Sequence, residues 1–172
     1  SGITMSASGA DIYQTTDEFR FAYKRLTGDG SITVRVMSIE NTSVWAKAGV
    51  MIRAGVVAVA PQVHMIVTPS GRVEFMYRSS PGAATTAINT EANANPLPHW
   101  VRLSRKGNTF TGEYSADGTT WTRITSGANT SVQDVILSGD VYIGLCVTSQ
   151  NPSSVTVAEF GISRVMPPIT NT

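Results

Sequence analysis

Cysteine is almost absent from this chain: one thiol, Cys146, stands in 172 residues, so no internal disulfide can form. Its place inside "VYIGLCVTS" reads as a buried strand thiol rather than a reactive one. The lack of disulfides does not exclude export, where they are optional. Histidine is nearly as scarce, at His64 and His99, and no Cys/His spacing suggests zinc. Charged residues make up only 15% of the chain, the formal net charge is +1, and no run of Lys or Arg forms a block. That balance speaks against nucleic acid or an anionic membrane as the main partner. No apolar stretch approaches the ~18 residues of a spanning helix, and no basic, hydrophobic leader is present. No Ser/His/Asp signature or nucleophile elbow occurs. "TGDGS" at 27–31 is a tight turn without the helix that a phosphate-binding loop needs.

What is present is strand. Turn signals at "TPSGR", "RKGN", "SADGTTW", "LSGD" and "QNPSS" separate β-branched and aromatic runs of period two. These runs are "SITVRVMSI", "HMIVT", "RVEFMYR", "WVRLSR", "TFTGEYS", "VYIGLCVTS" and "VTVAEFGI". "NTFTGEYSADGTTWTRI" predicts a hairpin, and only "DVILSGD" could hold a single helical turn. About ten short strands in a chain of this length predict an all-β fold of two antiparallel sheets packed as a sandwich. The small, polar stretch 79–99 reads as a long loop or a ragged edge hairpin. One domain is expected over 1–172, as a module of a larger protein.

Alternation then sorts the side chains. In "WAKAGVMIR" one face carries Ala46, Ala48, Val50 and Ile52; the other carries Trp45, Lys47, Gly49, Met51 and Arg53. The runs around His64, Glu74 and Arg78, and around Trp100 and Arg102, split in the same way. If the apolar faces meet in the core and these strands are neighbours, one outer sheet face displays Trp45, Lys47, Arg53, His64, Glu74, Arg78, Trp100 and Arg102. Aromatic rings can stack on sugar rings, and the flanking polar groups can bond their hydroxyls, Arg offering a fixed fork. Gly49 would leave room for a close approach to the sheet. The alternative is an ordinary solvated face with Arg–Glu cross-strand pairs worth ~0.2–1 kcal/mol. On the binding reading, Arg53→Ala and Trp45→Ala each abolish glycan binding with little loss of stability, and the four cations favour acidic or highly hydroxylated sugars.

In order along the chain, "SGADIYQTTDEFRFAYKRLTGDGSITVRV", "WAKAGVMIR", "MIVTPSGRVEFMYR", "WVRLSRKGNTFTGEYSADGTTW" and "VYIGLCVTS" resemble a family of bacterial modules. These are the concanavalin A-like lectin/glucanase β-sandwiches labelled domain of unknown function 1349, or regulation-of-enolase-like. The resemblance implies a curved jelly-roll sandwich, an accessory module of secreted or cell-surface bacterial proteins, many of which act on polysaccharides. A non-catalytic carbohydrate-binding role follows as an expectation, with covalently linked neighbouring domains, a monomeric module and no required cofactor. Trp45, Lys47, Arg53, Arg78, Trp100 and Arg102 fall on recurrent motif positions of that family. Gln150 stands where a histidine is usual and Cys146 where alanine is, which would alter specificity; Gln150 joins the expected ligand set. Structural calcium is common in such sandwiches, and Asp11, Asp17 and Glu159 are the candidate ligands.

Two other readings compete. Glycosidases of this fold carry alternating carboxylates on one strand, and the acidic residues here are scattered. Alginate-lyase motifs resemble "QVH" (Gln62, His64), "WAKAGV" and "RVEFMYR" (Arg72, Arg78), chemistry suited to β-elimination. Their order along the chain is reversed, and Ile52 stands where those enzymes carry tyrosine. An aromatic–Arg patch would also suit protein interaction or adhesion.

Overall fold

The computed structural model describes residues 2–166. In chain order the strands are β1 (Ile3–Ala7), β2 (Asp11–Tyr13), β3 (Thr16–Glu18), β4 (Arg20–Leu26), β5 (Gly30–Ile39) and β6 (Lys47–Arg53). Then come β7 (Gln62–Val67), β8 (Val73–Arg78), β9 (Thr86–Asn89), β10 (His99–Lys106), β11 (Thr109–Ser115) and β12 (Thr122–Arg123). The last are β13 (Thr125–Ser126), β14 (Asn129–Thr130), β15 (Val132–Asp134), β16 (Val141–Thr148) and β17 (Thr156–Met166).

Two antiparallel sheets face each other as a jelly-roll sandwich. The front sheet runs β4-β16-β6-β7-β8-β9 and the back sheet β1-β17-β5-β10-β11-β12, with β15 also on the outer edge of β11. The first and last strands pair, Thr4 opposite Glu159, and the expected hairpin places Glu113 opposite Arg123. The 79–99 stretch supplies edge strand β9. "DVILSGD" begins on Asp134, the last residue of β15, and forms no helix.

The period-two pattern explains the core. From the front sheet Ala48, Val50 and Ile52, Val63, Met65 and Val67, and Val73 and Phe75 point inward. They meet Ile32, Val34 and Val36, Val101 and Leu103, and Phe110 from the back sheet. Strands β5 and β10 alternate buried with half-buried residues, as a sheet with one wet face should. Strands β6 and β7 do not: every residue in both is buried. Their second face is covered by the β2–β3 hairpin, which lies across the front sheet and pairs Asp11 with Glu18 and Ile12 with Asp17. Ile12, Met51, Ile66 and Cys146 form a small second core beneath it, flanked by Phe19 and Phe21. Burying Ile12 completely contributes about 1.5–3 kcal/mol to holding the hairpin down. Gly49 admits no outside group. A Cβ there would lie 2.2 Å from the Met65 carbonyl oxygen and 2.7 Å from Ile66 Cα, so the neighbouring strand fills the space.

His99 opens β10 and is buried, although the proline-bearing stretch "NPLP" before it reads as loop. Its ring lies 5.9 Å from that of Tyr114.

Candidate functional site

The front-sheet face holds most of the expected site residues, but as a covered layer. Arg53 and Arg78 belong to β6 and β8, and Gln62, in register with both, separates them. Both converge on Asp17 of the hairpin. Arg78 grips it as a fork, Nη1 to Oδ2 and Nη2 to Oδ1 at 2.7 Å each, and Arg53 Nη1 reaches Oδ2 at 3.0 Å. Most of their other hydrogen bonds go to backbone carbonyls, with the Thr85 hydroxyl and the Met51 sulfur taking one each. Arg53 donates to Gly55 and Val57, and Arg78 to Ala60, Ala83 and Gln14. Phe19 lies under the Arg53 guanidinium at 5.0 Å. Burial, only partly offset by Asp17, lowers the Arg53 pKa. These two arginines therefore clamp the hairpin and two loops, and neither is free to donate to a ligand. The expectation that Arg53→Ala spares stability is corrected on this ground.

His64 lies on the same buried face, Nδ1 2.8 Å from Gln62 Oε1 and Nε2 without a partner. Burial first, then the charges of Lys47, Arg53 and Arg78, hold it well below the usual imidazole pKa. It is neutral and sealed from solvent. Trp100 and Arg102 are elsewhere altogether, on the outer face of the back sheet. Strand β10 pairs with β5 and β11, so "WVRLSR" is not a neighbour of "RVEFMYR". There Arg102 binds Glu113 at 3.1 Å and lies 4.0 Å over the Trp121 ring, while Trp100 packs beside Arg35 and the turn at Gly118.

The remaining four, Trp45, Lys47, Glu74 and Gln150, do come together. They line one cavity of about 320 Å³ at the edge of the hairpin, with Asp11, Tyr13, Gln14, Met76, Ala87 and Asn89. The volume is at the small end of small-ligand sites, roughly 300–1,000 Å³. Trp45, 41% exposed, stands just before β6, and Arg72 lies 5.0 Å over its ring. Lys47 is buried, its ammonium donating to Asp11 Oδ1 at 2.6 Å and to the Trp45 carbonyl at 2.9 Å. Gln150, with φ of 52°, accepts a short hydrogen bond from the Ser43 hydroxyl. Glu74 and Asn89 face each other across β8 and β9. Both Glu74 oxygens and Asn89 Oδ1 are buried without any hydrogen-bond partner. Burial, opposed by Lys47 and Arg72, raises the Glu74 carboxyl to about 7. Buried acceptors are normally paired, so three unpaired ones beside a cavity mark where a donor is missing.

Sequence reasoning missed Asn89 of β9 and the hairpin's share: Tyr13, Gln14 and the carboxylates that pair the front-sheet cations. One signal was available. Strands with cations on a face flanked by Met, Ile and Cys need carboxylates nearby, and "DIYQTTDE" is the acidic segment without a Gly or Pro turn to explain it.

The calcium candidates do not fit a cation. Asp17 has both oxygens on guanidinium groups, Asp11 holds Lys47, and Glu159 lies on the back sheet opposite Thr4. Among the described residues no three His, Cys, Asp or Glu side chains group as metal ligands. Cys146 is sealed beneath the hairpin, and burial pushes its thiol up to about 12. A thiol reagent at pH 8 is expected to leave the native protein unlabelled and to label it fully in denaturant. Rapid native labelling would show that the hairpin opens.

No family model matches the sequence, and no curated protein matches it. Solved structures do. A functionally unknown protein from Saccharomyces cerevisiae superposes with a TM-score of 0.74 at 13% identity, over 98% of this chain and 89% of that one. A mutant of the GH43 protein BlXynB from Bacillus licheniformis gives 0.70 at 9% identity, over 97% of this chain but only 33% of that one. The alginate lyase from Klebsiella pneumoniae gives 0.52 at 15% identity, over 84% and 62%. At such identities the likeness is one of fold, an antiparallel jelly-roll β-sandwich.

Proposed function

We propose that this chain is a non-catalytic carbohydrate-binding module, and that the glycan seats in the Trp45 cavity. The observation that carries the reading is the pairing of a half-exposed indole with buried side-chain acceptors that have no partner. An apolar platform and fixed polar groups are what a sugar ring requires. The fold neighbours named for GH43 and for alginate lyase support a carbohydrate role. The reading extends to the notions that the chain is a domain of unknown function 1349 module, carried by a secreted or cell-surface bacterial protein that acts on polysaccharides, and monomeric as a module.

Trp45→Ala should weaken glycan retardation in a native affinity gel at least about tenfold, since an aromatic contact is worth ~0.5–1.5 kcal/mol beyond its buried area. The side chain is half exposed, so the melting temperature should hardly move. Equal retardation of variant and wild type would remove the cavity from the account.

A β-eliminating lyase is the second reading, favoured by the alginate-lyase fold and by a carboxyl near neutrality in the cavity. The base it was expected to use, His64, is buried and does not line that cavity. Unsaturated sugar products from the same mixtures would establish it.

A further inference from the structure

Resting on the glycan reading, we infer that the cavity selects a sugar unit bearing an amino group, a 2-amino-2-deoxyhexose in its ammonium form, over uronic acids. Four cations in the sequence suggest the opposite, but each already has its carboxylate. Lys47 is held by Asp11, Arg53 and Arg78 by Asp17, and Arg102, on the other sheet, by Glu113. Arg72 lies near Glu74 and over the Trp45 ring, and it does not line the cavity.

What the cavity offers in their place is acceptors. Glu74 Oε1, Glu74 Oε2 and Asn89 Oδ1 belong to residues that face each other on adjacent strands, and none of the three receives a hydrogen bond. Asp11 adds a second carboxylate to the lining, its Oδ1 already engaged by Lys47. With Glu74 ionised, the charged groups lining the cavity are Asp11, Lys47 and Glu74, an excess of one negative charge. An ammonium group supplies both the donors and the charge, and charge-assisted bonds are the stronger kind. A uronate would set its carboxylate against Glu74, with no free cation lining the cavity to receive it.

The test is calorimetric titration of the chain with four tetrasaccharides: glucosamine, N-acetylglucosamine, xylose and mannuronic acid oligomers. The glucosamine oligomer should bind at least tenfold more tightly than the N-acetyl form. It should release a proton at pH 5.5, where the amine is already an ammonium and the Glu74 carboxyl still holds its proton, seen as a dependence of the heat on the buffer, because Glu74 must ionise to receive it. Glu74→Gln, a near-isostere that should stay folded by thermal melt, should erase both the preference and the proton release. Equal binding of the acetylated or xylose oligomer, with no effect of Glu74→Gln, would overturn the amino-sugar inference and leave glycan binding standing. Tighter binding of the mannuronate oligomer would overturn it likewise. Silence from all four would overturn the inference and count against the glycan reading together.

Discussion

Asp17→Asn is expected to cost this protein at least about 3–5 kcal/mol, the usual loss when one partner of a buried ion pair is removed. Two guanidinium groups depend on that one carboxylate, and Arg53, Arg78 and Asp17 have side chains at most 1% exposed. Asparagine keeps the shape and one acceptor but leaves two cations in a sealed layer without a counter-charge. The loss should spread beyond the ion pairs. The Asp17 backbone N–H donates to Ala58, and the arginines hold the loops at 55–60 and 83–85 by their carbonyls and by Thr85. Urea unfolding should show a much lower midpoint, and Cys146 in the second core should become open to thiol reagents. A loss under about 1 kcal/mol would mean that the hairpin is an ornament and that the arginines face water.

The second large effect is a pH dependence set by Glu74. Its carboxyl titrates at about 7 in the folded protein against an ordinary 4.5. Between those values the native state holds a proton that the unfolded chain has given up. Stability therefore falls as pH rises through that window, by about 1.4 kcal/mol per unit and about 3 kcal/mol in all, and levels off above pH 7. Glu74→Gln removes the titration, so the variant should match wild type near pH 4.5 and exceed it by up to about 3 kcal/mol at pH 8. Urea midpoints of both proteins at the two pH values decide this. A constant difference between them would mean that Glu74 is already solvated or paired. The same property fits a binding residue: the native fold tolerates an unpaired carboxyl because it is placed for a partner from outside.

Much of the sandwich was legible because a strand's two faces are written in alternate residues. The inward set Ala48, Val50 and Ile52 and the hairpin at "SADG" followed from local rules alone. What covers the opposite face was not legible in that way. Lys47 and Arg53 each find their carboxylates 36 residues away, and Arg78 finds Asp17 at a separation of 61. No periodicity carries contacts of that range. The same limit misplaced Trp100 and Arg102. Strand β10 follows β9 in sequence but crosses to the other sheet, where the alternation stays correct and the company changes. Charge counting failed for a related reason. Four cations on paper became none free in the cavity once their partners were in place, while the lone Glu74 became the feature that matters. Trp45, Lys47, Glu74 and Gln150 survived as a group because "WAKAGV", "RVEF" and the end of "VYIGLCVTSQ" lie at one end of the front sheet.

The measurement closest to the central claim follows the three tryptophan indole N–H resonances while the chain is titrated with the glucosamine tetrasaccharide. The Trp45 signal should move and saturate, and those of Trp100 and Trp121 on the back sheet should stay in place. Movement of Trp100 or Trp121 with Trp45 unchanged would put the glycan on the other sheet and contradict the account.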